Sequence, residues 1–314
     1  MPRNSPVLPA VRTIRLLQPL NWLKLGWRDM SRAGWISVSH GVALALLGAA
    51  IMAVAHHRFW LLAGALSGFL VVAPVLATSL YAMSRALERG EPANLSVVLK
   101  TWFNWQHSHL NKWGNDYWCM VQFGALLALA ATGWVMTSAA LITLLAPVPI
   151  ETPSDFLRHV VLAREGWLFE IWLGLGSLMA APIFASSVVA MPLLLDRRAT
   201  LLQAVLASWQ VVLGNPLPLA FWAATILGLT LMGLGSLMLG LVVVMPVLGH
   251  ASWHAYRDLV DASNLREREV AALAPSHGGH RKVDKITLPF NPATAHRMSP
   301  FATEGAAPMA LVAS

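Results

Sequence analysis

Gly68-Phe69-Leu70-Val71-Val72-Ala73-Pro74-Val75-Leu76 returns without a gap as Gly240-Leu241-Val242-Val243-Val244-Met245-Pro246-Val247-Leu248. The register runs on past the apolar stretch. Tyr81 matches Trp253, Arg85 matches Arg257 and Leu87 matches Leu259. Each copy is therefore an apolar, proline-bearing run followed by an arginine at one fixed offset. Basic residues mark the cytoplasmic end of a membrane helix, so the two runs point the same way. A third copy, Ser186-Ser187-Val188-Val189-Ala190-Met191-Pro192, lies between them. Gly174-Leu175-Gly176-Ser177-Leu178-Met179 also recurs as Gly233-Leu234-Gly235-Ser236-Leu237-Met238, and the segment from Leu95 to Trp102 resembles that from Leu202 to Trp209. The expectation is an all-α, polytopic membrane protein. Three parallel helical hairpins would supply about six transmembrane helices, with interfacial amphipathic helices after the first two hairpins.

Composition agrees with a lipid environment. Of 314 residues 56% are hydrophobic and 12% charged, about half the charge of a soluble domain, which is about 25%. The net charge of +7 is confined to segments between long apolar runs. It reads as a topology signal and not as a nucleic-acid surface. The single cysteine, Cys119, excludes an intramolecular disulfide and a thiolate metal cluster.

A crossing needs about 20 apolar residues. The candidates are Ile36–Ala55, Phe59–Ser84, Trp118–Ala146 and Ile171–Leu195, and then a run from Ala199 to Tyr256 that contains no Lys, Arg, Asp or Glu and is too long for one span. Arg3, Arg12, Arg15, Lys24, Arg28 and Arg32 precede the first span and place the N-terminus inside. Arg85, Arg89, Lys100 and Lys112 follow the second span, Arg197 and Arg198 the fourth, and Arg257, Arg266 and Arg268 the last run. Only an even number of spans puts all of them inside, so six is expected. The organisation read from this is a basic cytoplasmic segment over 1–33 and a transmembrane domain over 34–261. Interfacial helices are expected near 93–112 and 199–213. A mostly disordered cytoplasmic tail is expected over 262–314, with a short charged helix from Arg266 to Ala272.

Several segments resemble a bacterial integral-membrane family of unknown function, the domain of unknown function 2189 type. They are Asn21-Trp22-Leu23-Lys24-Leu25-Gly26-Trp27-Arg28-Asp29, the Val-Val-Ala-Pro span with its Tyr and Arg, Pro192-Leu193-Leu194-Leu195-Asp196-Arg197, and Pro246 through His250, Trp253 and His254 to Arg257. The resemblance covers about Val11 to Val260. Members are sometimes labelled cytochrome c oxidase subunits. The resemblance carries over no catalytic residue.

Candidate chemistry is sparse. His250 and His254, spaced i, i+4, share one helical face and have the spacing of a metal pair, but no third ligand or adjacent glutamate completes a site. Their positions align with Thr78 and Ala82, so this is where the repeat fails. Structural hydrogen bonding is the alternative. His40, within the first span, would have to meet His250 to hold a haem. Asp196, Arg197, Arg198, Glu170, Trp253 and Arg257 are candidates for lipid or partner contact. The 14 tryptophans cluster near span ends as an aromatic belt. No phosphate loop, dinucleotide fingerprint or nucleophile elbow occurs.

These readings point to a non-catalytic protein without a cofactor, in the bacterial inner membrane with both termini cytoplasmic. The leading expectation is an accessory or assembly subunit of a respiratory, cytochrome oxidase-type complex. Its partners would be membrane lipids and other integral membrane subunits, with no nucleic acid. A small-molecule or lipid transporter is the alternative, suggested by the repeat. A haem- or metal-binding protein using His250 and His254 is the second alternative.

Overall fold

The computed structural model describes residues 8–55, 75–107, 118–163 and 166–268. Outside these lie most of the second expected span (59–74, with Gly68–Pro74 of the repeat), the loop 56–58, residues 108–117, and the chain from 269 onward. In chain order the elements are β1 (Ala10–Val11), α1 (Gln18–Ala33), α2 (Trp35–Ala55), α3 (Thr78–Glu88), α4 (Leu95–His107) and α5 (Trp118–Leu145). After a short helical turn (Pro153–Phe156) continued by a π-helical one (Leu157–Val161), they continue as α6 (Leu168–Ser187), α7 (Ala190–Asp196), α8 (Leu201–Gly214), α9 (Pro216–Gly235), α10 (Leu241–Leu259) and β2 (Val260–Asp261). Among the described residues the fold is all-α, apart from the two-residue antiparallel pairing of β1 with β2 and a single bridge between Arg197 and Glu267.

Among the described residues four helices are long and apolar enough to cross a membrane: Trp35–Ala53, Trp118–Leu145, Leu168–Asp196 and Pro216–Gly235. Their outward faces stay apolar. Leu46, Leu129, Leu144, Leu178 and Leu231 are all exposed, as expected of helices whose solvent is lipid and not water. Helix α10 has the length of a crossing. Its second half carries His250, Ser252, His254, Arg257 and Asp258, which lowers its hydropathy. Of the expected second span, α3 is the described end.

Helix α10 is the centre of the bundle and touches α1, α2, α3, α7 and α9. Small residues make this possible. A Cβ on Gly26 of α1 would meet the Val247 carbonyl oxygen at 2.6 Å, and one on Gly249 of α10 would meet Leu80 of α3 at 2.4 Å. Gly41 of α2 shows the cause most clearly. Pro246 has no amide hydrogen, so the Val242 carbonyl four residues earlier has no helical donor. That carbonyl faces Gly41, where a Cβ would lie 2.1 Å from its oxygen. Pro192 has a comparable effect. The carbonyl it frees is that of Val188, and there the long apolar helix breaks into α6 and α7. Helix α8 starts from a capping box, in which Thr200 accepts from the Gln203 amide while the Gln203 side chain accepts from the Thr200 amide.

Helix ends gather at one pole. The start of α2 arrives through Ser37, the ends of α3 and α7 through Arg85 and Asp196, and the end of α10 through Asp258, which accepts from the Trp22 indole at 2.6 Å. The start of α5 arrives through Cys119, 3.8 Å from the Arg268 guanidinium. The start of α9 arrives through Asn215, which accepts from the Ile14 amide and donates to the Arg12 carbonyl. At the other pole Ile142, Ile150, Val160 and Leu168 close the connection from α5 to α6. There the turn from α9 to α10 holds Leu237 and Met238 at positive φ, 54° and 67°.

Two segments do more than composition suggested. The basic segment 1–33 contains α1, whose Trp22, Gly26, Asp29, Met30 and Ala33 are buried. The seven residues after β2's Asp261, assigned from composition to the tail, fold back onto the pole. The Arg198 amide donates to the Arg266 carbonyl, Glu267 forms a bridge with Arg197, and Arg268 is buried. The first three residues of the charged helix expected from Arg266 are therefore extended, and residues 269–272 lie outside the described chain.

Candidate functional site

One carboxylate joins α3, α7 and α10. Asp196, the last residue of α7, is buried. Its Oδ1 pairs with Arg85 Nε of α3 at 2.9 Å. Its Oδ2 accepts from the Tyr256 hydroxyl of α10 at 2.9 Å and from the neighbouring Arg197 Nε at 2.9 Å. The Asp196 carbonyl accepts from the Arg268 amide, and Arg85 donates onward to the Arg268 carbonyl at 2.8 Å. Glu267 then pairs with Arg89. Residues aligned in the sequence play different parts here. Arg85 is buried against Asp196, whereas its counterpart Arg257 is half-exposed and pairs with Glu88, which also accepts from the Trp253 indole at 2.9 Å.

The second cluster is a chain of hydrogen bonds between α1, α2, α3 and α10. Ser37 Oγ lies 2.8 Å from His250 Nε2, and His250 Nδ1 lies 2.7 Å from Ser84 Oγ. Ser84 donates to Asp29 Oδ2 at 2.9 Å, and the same oxygen meets His254 Nε2 at 2.8 Å. The directions are forced. Ser84 spends its only proton on Asp29, so it must accept from His250 Nδ1–H, and in the neutral ring Nε2 accepts from Ser37. Burial acts to raise the Asp29 pKa, but the hydrogen bonds from His254 and Ser84 and the nearby His254 and His250 outweigh it and hold the carboxyl below its usual range. A buried carboxylate is tolerable here because it is paired and hydrogen-bonded. Arg28 completes its surroundings at 3.7 Å.

The remaining candidates separate. His40 donates through Nδ1 to the Ile36 carbonyl at 2.7 Å and meets Ser79 Oγ through Nε2 at 2.8 Å, so both its nitrogens and both of His250's are engaged within the chain. Glu170 and Arg198 are exposed. Trp253 is buried, inside the bundle and away from lipid. Among the described residues no group of three or more His, Cys, Asp or Glu side chains is placed to hold a metal ion.

The Ser37–His250 contact resembles a nucleophile and its base, but both side chains have no exposure to a substrate. Chemically the arrangement is a continuous hydrogen-bonded link between His254 at the rim and His250 inside. Asp29, Ser84, Ser37 and Tyr256 escaped sequence reasoning. Asp29 alone left a trace, as the one acid in a basic segment.

The model of the family described as "Predicted integral membrane protein (DUF2189)" matches residues 61–196. The matched stretch spans α3 to α7 and ends on Asp196, so it contains both halves of the Arg85–Asp196 pair and stops before α10. The chain contains several membrane-spanning helices, in keeping with that description. No curated protein and no solved structure matches the chain.

Proposed function

We propose that this protein is a non-catalytic accessory or assembly subunit of a larger respiratory complex in the bacterial inner membrane. The observation that carries the reading is how its buried polar groups are used. Asp29, Ser37, Ser79, Ser84, Arg85, Asp196, Asn215 and His250 are all buried, and each bonds another helix or segment of the same chain. Polar groups spent this way position helices. A carrier would aim them at a passing substrate. On the outside, Gly133, Gly174 and Gly228 of α5, α6 and α9 have open space before them among the described residues. Small residues on a membrane helix permit close approach of a second helix. The respiratory assignment rests on the labels carried by members of the family.

The proposed topology is six spans with both ends cytoplasmic. In its support, the starts of α2, α5 and α9 and the ends of α3, α7 and α10 share one pole. The mutual contacts of α3, α7 and α10 support three parallel hairpins.

The test is extraction in mild detergent, native electrophoresis and identification of co-migrating subunits, with oxidase assembly followed in a deletion strain. Co-migration with oxidase subunits and a loss of assembled oxidase are expected. A protein that migrates alone, with normal oxidase in its absence, overturns the reading. The meeting of α3, α7 and α10 at Asp196 favours a transporter as the second reading. Substrate uptake by proteoliposomes of the wild-type protein, absent from empty liposomes, would establish it.

A further inference from the structure

Helix α1 has two faces, and only one is used by the protein. Trp22, Gly26, Asp29, Met30 and Ala33 pack inward, chiefly on α10. The opposite face carries Leu17, Leu20, Asn21, Lys24, Trp27, Arg28, Ser31 and Arg32, all exposed, at the spacing of one helical stripe. Large apolar side chains alternate there with cations. Trp27 is 55% exposed and Leu20 49%. In water such a face would be a liability. The only acid of the helix, Asp29, is turned inward and held by His254 and Ser84, so the outward stripe is cationic.

The position of this stripe is set by the chain. Gly34, at φ +63°, is all that separates α1 from α2, a candidate span that opens with Trp35, itself 70% exposed. The C-terminal end of α1 therefore lies within one residue of the membrane boundary. A 16-residue helix is about 24 Å long at 1.5 Å per residue. Lys24, Arg28 and Arg32 rise toward that boundary on one face, with Trp27 among them. Tryptophan beside Lys and Arg is the side-chain set that sits at the headgroup level, apolar body down and cation at phosphate.

We propose that the outward face of α1 is seated on anionic phospholipid headgroups of the surrounding bilayer, through Lys24, Arg28 and Arg32 with Trp27 and Leu20 as apolar anchors. The inference rests on the membrane placement of α2 and is independent of the subunit reading. It says that α1 is not the surface that receives a protein partner.

The test uses the full-length protein in nanodiscs of phosphatidylglycerol or of phosphatidylcholine. A spin label at Asn21→Cys reports depth from its accessibility to oxygen and to a nickel chelate. Cys119 is buried, which favours selective labelling. The expected result is headgroup depth in phosphatidylglycerol and a shift toward water in K24Q/R28Q/R32Q. In native mass spectrometry the preference for phosphatidylglycerol over phosphatidylcholine should fall by about fivefold per charge removed. All three side chains are exposed, Arg28 also lying 3.7 Å from Asp29, and an unchanged thermal midpoint verifies that the fold is retained. An identical lipid preference in the wild type and the triple variant overturns the proposal. So does a label shielded from both reagents, which would mean that protein covers the face.

Discussion

Gly41→Ala tests the account of how α2 and α10 approach each other. The added Cβ would lie 2.1 Å from the Val242 oxygen, 2.6 Å from its carbonyl carbon and 2.8 Å from its Cα. A close carbon–oxygen approach is about 3.3 Å, so the helices must part by about 1.2 Å. All three atoms are backbone, so no flexible side chain can give way, and the cost belongs near the upper end of the overpacking range, about 3 kcal/mol. Parting α2 from α10 also stretches the Ser37–His250 bond, worth about 1 kcal/mol more. Gly133→Ala is the control. No described atom lies within 4 Å of its Cβ, and the exchange should stabilise the helix by up to about 1 kcal/mol. Unfolding by titrating dodecyl sulfate into mixed micelles, followed by tryptophan fluorescence, measures both. The two variants should move in opposite directions. The reasoning fails if Gly41→Ala unfolds with the wild type.

Other variants probe the polar pole. Asp196→Asn should cost about 3–5 kcal/mol in the same titration, because it leaves the buried Arg85 facing a neutral group; Arg85→Met should cost less, because Arg197 Nε and the Tyr256 hydroxyl still hold Asp196. The pH dependence follows from Asp29, whose carboxyl is held below the usual 3.8 in the folded protein. A depressed carboxylate contributes stability in full above its unfolded value, and this is lost as pH falls from about 3.8 through the folded value. Thermal midpoints between pH 6 and pH 3 should therefore drop in the wild type but stay flatter in Asp29→Asn, and superimposable curves would contradict the assignment. The Asp261 carboxyl, drawn down to about 2 by its bond to Arg12 and then by Ser263, should resist protonation across the same range, as a carbon-13 titration of its shift can show. Thr200→Ala removes the cap of α8 and should cost about 1 kcal/mol, readable as faster amide exchange over Leu201–Gln203.

The apolar helices were legible because lipid leaves a strong compositional signature. Leu46, Leu129 and Leu178 need only be apolar, whatever they face. The repeat aligned the directions of two runs but not their chemistry. Arg85 and Arg257 occupy matching positions, yet one meets Asp196 and the other Glu88, because the neighbours of each copy differ. The packing face of α1 had a period, through Trp22, Gly26, Met30 and Ala33, that was obscured by the basic residues between them. The histidine chain was beyond reach. Ser37 and Ser84 are ordinary serines until folding brings them to His250 from 213 and 166 residues away. The segment from Ala262 to Arg268 looked like tail because its bonds are made mostly by backbone groups, which leave no mark in composition.

The Arg85–Asp196 pair also sets a clock on biosynthesis. Its partners are 111 residues apart in the chain, and Arg85's second acceptor, the Arg268 carbonyl, lies 183 residues away. At roughly 5–20 residues per second, Asp196 emerges about 6–22 s after Arg85 and the closing segment later still. The full set of bonds at the pole can form only once Arg268 has been made, so the pole is the last part of the described chain to be completed.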